Sequence, residues 1–162
     1  MIVHPIEPVF NANSKIIILG SFPSVKSREN MFFYGHPQNR FWKVVSSVLG
    51  CSEPKTNDEK RELLLSYKIA LWDVISSCDI EGSADSTIKN VIPNDLSVIL
   101  NCAQIEKIYV NGKTALKYYN RYIRDKISID AVCLPSTSPA NAAWSFEKLL
   151  DSWNIIKTPL FK

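Results

Sequence analysis

Histidine, glycine and long apolar runs are all scarce in this sequence, and each scarcity removes a class of function. Only two histidines, His4 and His36, occur in 162 residues, and both are far from any cysteine, so no metal site is expected. Cys51, Cys78, Cys102 and Cys133 are widely spaced with no CxxC pair, and they read as free thiols in a reducing compartment. No apolar run approaches the ~18 residues of a membrane span. The opening segment MIVHPIEPVF carries no signal-peptide pattern. The expectation is a soluble, intracellular protein without a membrane partner. The glycine-containing loop GSFPSVKS is neither a GxGxxG fingerprint nor a phosphate loop ending in GK[ST], which argues against nucleotide hydrolysis.

What is present is a chain of 162 residues, 46% of them apolar, long enough for one sizeable core and too short for two, so residues 1–162 are read as a single domain. The net charge of +3 is compatible with a phosphate-bearing partner and does not identify one. Lys15–Leu19 is a short β-branched run closed by Gly20, the pattern of a buried strand entering a loop. RFWKVVSSVLG predicts a helix ended by Gly50, and a second helix is expected near Glu59–Tyr67. IALWDVI reads as a strand, followed by a polar connection, and Asp95–Cys102 as a helix. IEKIYVNG and IDAVCLP read as strands, each followed by a loop and a helix, KTALKYYNRYI and WSFEKLLDSWNII. Alternating strands and helices predict a three-layer α/β/α domain with a mostly parallel central sheet. Right-handed crossovers then bring the loops after Leu19, Val110 and Leu134 to one edge, the expected ligand site.

The first of these loops is unusual because polar groups and rings crowd together in it. Gly20 lets backbone approach a ligand without a Cβ clash. Ser21, Ser24 and Ser27 offer hydroxyls, while Lys26 and Arg28 either meet phosphate or belong to an ordinary wet loop. Phe41 and Trp42 fit the core face of their helix, whereas one ring of Phe32–Tyr34 is placed to stack on a base. Asn39 either caps the helix or uses its amide to hold a water or a polar edge. Asp73 reads as a buried, hydrogen-bonded support and His4 as peripheral.

GSFP joined to FFYGHPQNRFWKVV resembles the first motif of the uracil-DNA glycosylase superfamily, related to its mismatch-specific branch and closest to its hypoxanthine-DNA glycosylase branch. The resemblance continues through LWDVISSCDIEGSADSTIKN, IYVNGKTA and LPSTSPANAAWSFEKLL, nearly the whole chain. It implies a doubly wound domain that flips a damaged nucleotide out of DNA and hydrolyses its N-glycosidic bond without cofactor, metal or lyase step. It further implies that Asn39, in the HPxN segment, is catalytic, and that Tyr34 stacks on the extruded base. Gly20, Ser21, Phe22, Pro23 and Asn111 would line the base pocket. Lys26, Arg28, Lys113, Ser136, Thr137, Ser138 and Asn141 would bind DNA, the last four having helix capping as their plain alternative.

Two departures from the superfamily pattern matter. Phe22 stands where mismatch-specific relatives carry a water-orienting asparagine, and Leu134 where many relatives carry a histidine that stabilises the leaving base. His36 substitutes for that imidazole only if its loop folds inward. The resemblance therefore implies release of hypoxanthine from deoxyinosine in double-stranded DNA by a monomer, cytoplasmic or nucleoid-associated. Removal of uracil or another deaminated base is the nearest alternative. A non-catalytic damaged-DNA-binding domain and a small-molecule enzyme are the more distant ones.

Overall fold

The computed structural model describes residues 1–161. In chain order the elements are β1 (Ile2–Val3), β2 (Ile16–Gly20), α1 (Val25–Asn30), α2 (Phe41–Leu49), α3 (Asn57–Ser66), β3 (Ile69–Asp73), β4 (Ile75–Asp79), β5 (Lys89–Pro93), α4 (Ser97–Leu100), β6 (Lys107–Asn111), α5 (Lys113–Tyr122), α6 (Arg124–Ile127), β7 (Ala131–Leu134), α7 (Phe146–Trp153) and α8 (Lys157–Leu160). Four of the strands form a parallel sheet in the order β3-β2-β6-β7. All residues of β2 and β3 are buried, as expected where helices cover both faces of a parallel sheet. The three-layer α/β/α reading therefore holds.

The helices form where apolar spacing and end signals agree. α2 buries Phe41, Trp42, Val44, Val45, Val48 and Leu49, each worth about 1.5–3 kcal/mol. It stops at Gly50, whose φ of 74° suits a residue without Cβ. Thr56 caps α3 through the Glu59 N–H at 3.1 Å, and Ser145 caps α7 through the Lys148 N–H at 3.2 Å. α2 packs on α7, α3 on β3, and α5 on β6 and β7.

The structure departs from the expected alternation at one place. After β3 the chain passes through Val74 straight into β4 and returns in β5, making an antiparallel sheet β1-β4-β5. β5 is mostly exposed, so its sequence looks like a polar connection although its backbone pairs with β4. A six-residue helix, α1, likewise replaces part of the expected loop, capped by Ser24 and closed by Met31 at φ 56°. The Asp95–Cys102 helix shortens to Ser97–Leu100.

Backbone pairing also holds the N-terminal arm against the sheets. Val9 exchanges backbone hydrogen bonds with Leu71 at 3.0 and 2.9 Å, and the His4 N–H donates to the Ser76 carbonyl at 2.8 Å. The arm thus runs along the outer edge of β3 and shields it.

Candidate active site

The loops that follow β2, β6 and β7 do converge. Together with Asp73 and the Ile80–Asp85 segment they line a cleft of about 440 Å³ at the C-terminal ends of the parallel strands. All six expected base-pocket residues, Gly20, Ser21, Phe22, Pro23, Tyr34 and Asn111, lie on its wall, as do Asn39 and His36.

The aromatic segment is sorted by burial. Phe32 and Phe33 are 3% and 1% exposed and belong to the core; Phe32 stays clear of the cleft, while Phe33 and Tyr34 both line it. The Trp42 indole N–H donates to the Phe33 carbonyl at 3.0 Å and fixes this turn. Tyr34 itself adopts φ 55°, a left-handed conformation rarely occupied by a bulky residue. One face of its ring is already stacked on Phe41, with centroids 4.1 Å apart and planes 17° apart. Its hydroxyl is buried without a hydrogen-bond partner of acceptable geometry. Burial, then the Asp73 charge, push the phenol well above its ordinary pKa; the nearby Asn111 amide offsets part of that. Tyr34 is therefore a neutral donor.

Asn39 makes the cap-like bond that its sequence allowed and a second bond to a buried hydroxyl. Its Oδ1 accepts the Phe41 N–H at 2.9 Å, a cap-like bond at the start of α2, and the Thr137 hydroxyl at 2.9 Å. The backbone donor fixes which end of the amide is oxygen. With both lone pairs engaged, the group left for a ligand is the Nδ2 amine. Thr137 in turn accepts from Asn111 Nδ2 at 3.0 Å, and its own N–H donates to Asn111 Oδ1 at 3.0 Å. Asn111, Thr137 and Asn39 thus form one chain of oriented dipoles.

This arrangement corrects the reading of Thr137 as a DNA contact. The residue is fully buried, so its hydroxyl cannot meet phosphate, and it organises the site instead. Ser136 and Ser138 line the cleft and accept N–H groups of Ser138 and Ala140 at 3.1 Å each, holding the loop's turns. Asn141 ties that loop internally by donating to the Ser136 carbonyl at 3.0 Å. Arg28 is held at the surface, donating to the exposed Gly82 carbonyl at 2.9 Å, with its guanidinium over the Phe22 ring. Lys26 is exposed beside Glu29 at 3.6 Å, and Lys113 is exposed at the first turn of α5.

Two groups, Arg40 and the His4 side chain, escaped the sequence reading. Arg40 clamps the late loop, donating to the carbonyls of Trp144 and of Asn141, the latter at 3.1 Å; Trp153 adds a bond to the Pro135 carbonyl at 2.9 Å. Asp85 lies on the cleft wall. Although that residue is exposed overall, burial of its carboxyl raises its pKa, Thr114 opposing the shift and the Asp73 charge adding to it. His4 is not peripheral: its side chain is only 3% exposed, and its Nε2 meets Asp73 Oδ2 at 2.8 Å. The proximity arises from the N-terminal arm's path along β3, which no local pattern announces.

A parallel α/β sheet, a cleft at its strand ends, and an asparagine amide held there by a buried network define an α/β domain with a ligand site at the carboxyl edge of its sheet. Residues 7–157 match the family model described as the uracil DNA glycosylase superfamily, and the chain belongs to that superfamily. It is 36% identical over 113 residues to a hypoxanthine DNA glycosylase of Methanosarcina barkeri (strain Fusaro / DSM 804), covering 68% of this chain and 72% of that protein. It is 33% identical over 147 residues to a hypoxanthine DNA glycosylase of Methanosarcina acetivorans, covering 90% and 92%. Among solved structures, the solution NMR structure of a candidate uracil DNA glycosylase from Methanosarcina acetivorans superposes with a TM-score of 0.80. That pair is 30% identical and covers 97% of this chain and 99% of the other. The protein is a DNA glycosylase and acts on DNA. No helix among the described residues is long and apolar enough to cross a membrane.

Proposed function

We propose that this glycosylase hydrolyses the N-glycosidic bond of deoxyinosine in double-stranded DNA, releasing hypoxanthine and leaving an abasic site. The observation that carries this reading is the Asn39 amide, fixed by Thr137 and the Phe41 N–H with its amine free at the wall of a base-sized cleft. The names of the two curated relatives support the choice of base.

Lys26, Lys113 and the Ser136–Asn141 loop meet the phosphates around the damaged nucleotide, which swings into the cleft. Extrusion costs least where the pair is weak, and that adds selectivity before chemistry. Tyr34, backed by Phe41, forms the aromatic side of the pocket. As the glycosidic bond loosens, the sugar gains oxocarbenium character, and Asn39 holds a water against the anomeric carbon. An amide that donates through Nδ2 positions the water without deprotonating it, which suffices when bond breaking runs ahead of attack. Backbone donors of the Gly20–Pro23 and late loops stabilise the purine, which departs with the glycosidic electron pair and takes up the proton that the water gives up as it bonds to the anomeric carbon. No lysine lines the cleft among the described residues, which supports hydrolysis without strand cleavage.

The test is single-turnover base release from duplexes carrying deoxyinosine, uracil or xanthine, by the wild type and by Asn39→Ala. Fast hypoxanthine release that falls about 100-fold in the variant supports the proposal. Preferential uracil release overturns the choice of base, and equal rates in the two proteins overturn the role of Asn39.

A further inference from the structure

Two polar atoms on the cleft floor have no partner, and they lie side by side. Asp73 lines the cleft and is 3% exposed. Its Oδ2 is taken by His4, while its Oδ1 has no hydrogen bond among the described residues. The Tyr34 hydroxyl is likewise unpartnered. Both crowd the space above Gly20: a Cβ there would lie 2.8 Å from the hydroxyl and closer still to Asp73 Oδ1. Glycine at this position lets an acceptor and a donor stand together over bare backbone without bonding to each other.

His4 fixes which oxygen remains available. The Ile6 N–H donates to His4 Nδ1 at 3.2 Å, so the ring proton sits on Nε2 and is given to Asp73 Oδ2 at 2.8 Å. The imidazole is held in place on 3% exposed side-chain surface and stands edge-on to Phe22, with centroids 5.8 Å apart. Unsatisfied buried polar groups are rare in folded proteins, and an adjacent acceptor and donor define a complementary shape. That shape is a ring N–H beside a carbonyl. Deamination creates this edge: adenine offers a lone pair at N1 and an amino group at C6, and hypoxanthine offers N1–H and C6=O.

We propose that Asp73 and Tyr34, with His4 as the positioning residue, read the lactam edge of the flipped base, Asp73 Oδ1 accepting its ring N–H and the Tyr34 hydroxyl donating to its carbonyl. The assignment rests on the glycosylase reading and specifies how that site recognises its base. Adenine turns its N1 lone pair toward a carboxylate and its amino group toward a hydroxyl proton, two mismatches at once. Guanine carries the same lactam edge, and in a matched pair its cost of extrusion keeps it in the duplex. Tyr34 stays a neutral donor because burial and the Asp73 charge oppose its ionisation.

The experiment separates recognition from chemistry. Duplexes carry inosine or adenosine with a 2′-fluorine in the arabino configuration, which withdraws electrons from the anomeric carbon and blocks cleavage. Their affinities are measured by fluorescence anisotropy for wild type, Asp73→Asn and Tyr34→Phe, and base release from ordinary deoxyinosine duplexes is followed in parallel. In Asp73→Asn the His4 donor keeps the amide oxygen, so an NH2 group faces the cleft where an acceptor stood. Wild type should favour inosine by roughly tenfold or more, and Asp73→Asn should lose or invert that preference. Tyr34→Phe should lose part of it with no fall in melting temperature, because it deletes a hydroxyl that has no partner. That variant decides the matter if Asp73→Asn does not fold.

An inosine preference unchanged in the folded variants overturns the proposal. Base release by wild type without any inosine preference leaves the glycosylase reading standing and removes this one. A variant-sensitive preference without release keeps the lactam reader and removes deoxyinosine hydrolysis. Neither preference nor release removes both.

Discussion

Replacing Thr137 by valine keeps the shape of a fully buried side chain and deletes one hydroxyl. Two hydrogen bonds disappear, the 2.9 Å donation to Asn39 Oδ1 and the 3.0 Å acceptance from Asn111 Nδ2. Asn39 Oδ1 keeps the Phe41 N–H, so the larger cost falls on the Asn111 amine, left without its acceptor. An unmet partly buried donor costs about 1–3 kcal/mol, which places the loss of stability near 2 kcal/mol. At roughly 2–4 °C per kcal/mol for a domain of this size, the melting temperature should fall by about 4–8 °C. The Asn39 amide also loses one of its two restraints, and single-turnover base release should drop roughly 10- to 100-fold. Calorimetry and a release assay on the same preparation read both effects, with Thr137→Ser as the control that keeps the hydroxyl. A valine variant that melts and turns over like wild type, or a serine variant as impaired as valine, would refute the role of this hydroxyl.

Gly20→Ala places a methyl 2.8 Å from the Tyr34 hydroxyl and closer to Asp73, so the urea midpoint should fall by the equivalent of about 1–3 kcal/mol. Arg40→Met removes the donor to the Asn141 and Trp144 carbonyls. Hydrogen exchange should then rise across residues 136–144 while sheet amides stay protected. Asp79 is held below the ordinary carboxylate range first by the Asn90 amide, at 2.6 Å, and then by the N-terminal amine. Its folded-state pKa is depressed, so its stabilisation is present above the ordinary value and is lost as pH falls through the lowered one. Asn90→Gly, which tolerates the 54° φ there, should raise the Asp79 pKa in a carboxyl NMR titration; an unchanged titration curve would contradict the assignment.

The central sheet was legible because KIIIL, IYVNG and AVCLP are short apolar runs, each closed by a turn signal, and parallel topology alone sends their loops to one edge. Asn39 and the Gly20 loop were legible through the motif they share with the superfamily. Thr137 was not, because a hydroxyl between two serines reads as surface chemistry. Its burial depends on Arg40 and Trp153 closing the loop from distant helices. His4 was hidden for a related reason: its partner lies 69 positions away, and antiparallel pairing of β1 with β4 brings the N-terminal arm alongside. β5 escaped because its paired backbone carries exposed side chains, so its polarity concealed a strand.

The distances along the chain between the partners that hold this site have a kinetic meaning. Asn39 and Thr137 are separated by 98 positions, His4 and Asp73 by 69, and Arg40 and Trp144 by 104. Each link closes a large loop of chain, and such closures follow local helix formation and hydrophobic collapse. A chain with its helices and much of its sheet in place would still lack the cleft. During refolding, base release should therefore return with the last and slowest phase, after the circular-dichroism signal has recovered, so that a partly folded molecule has no means of attacking DNA.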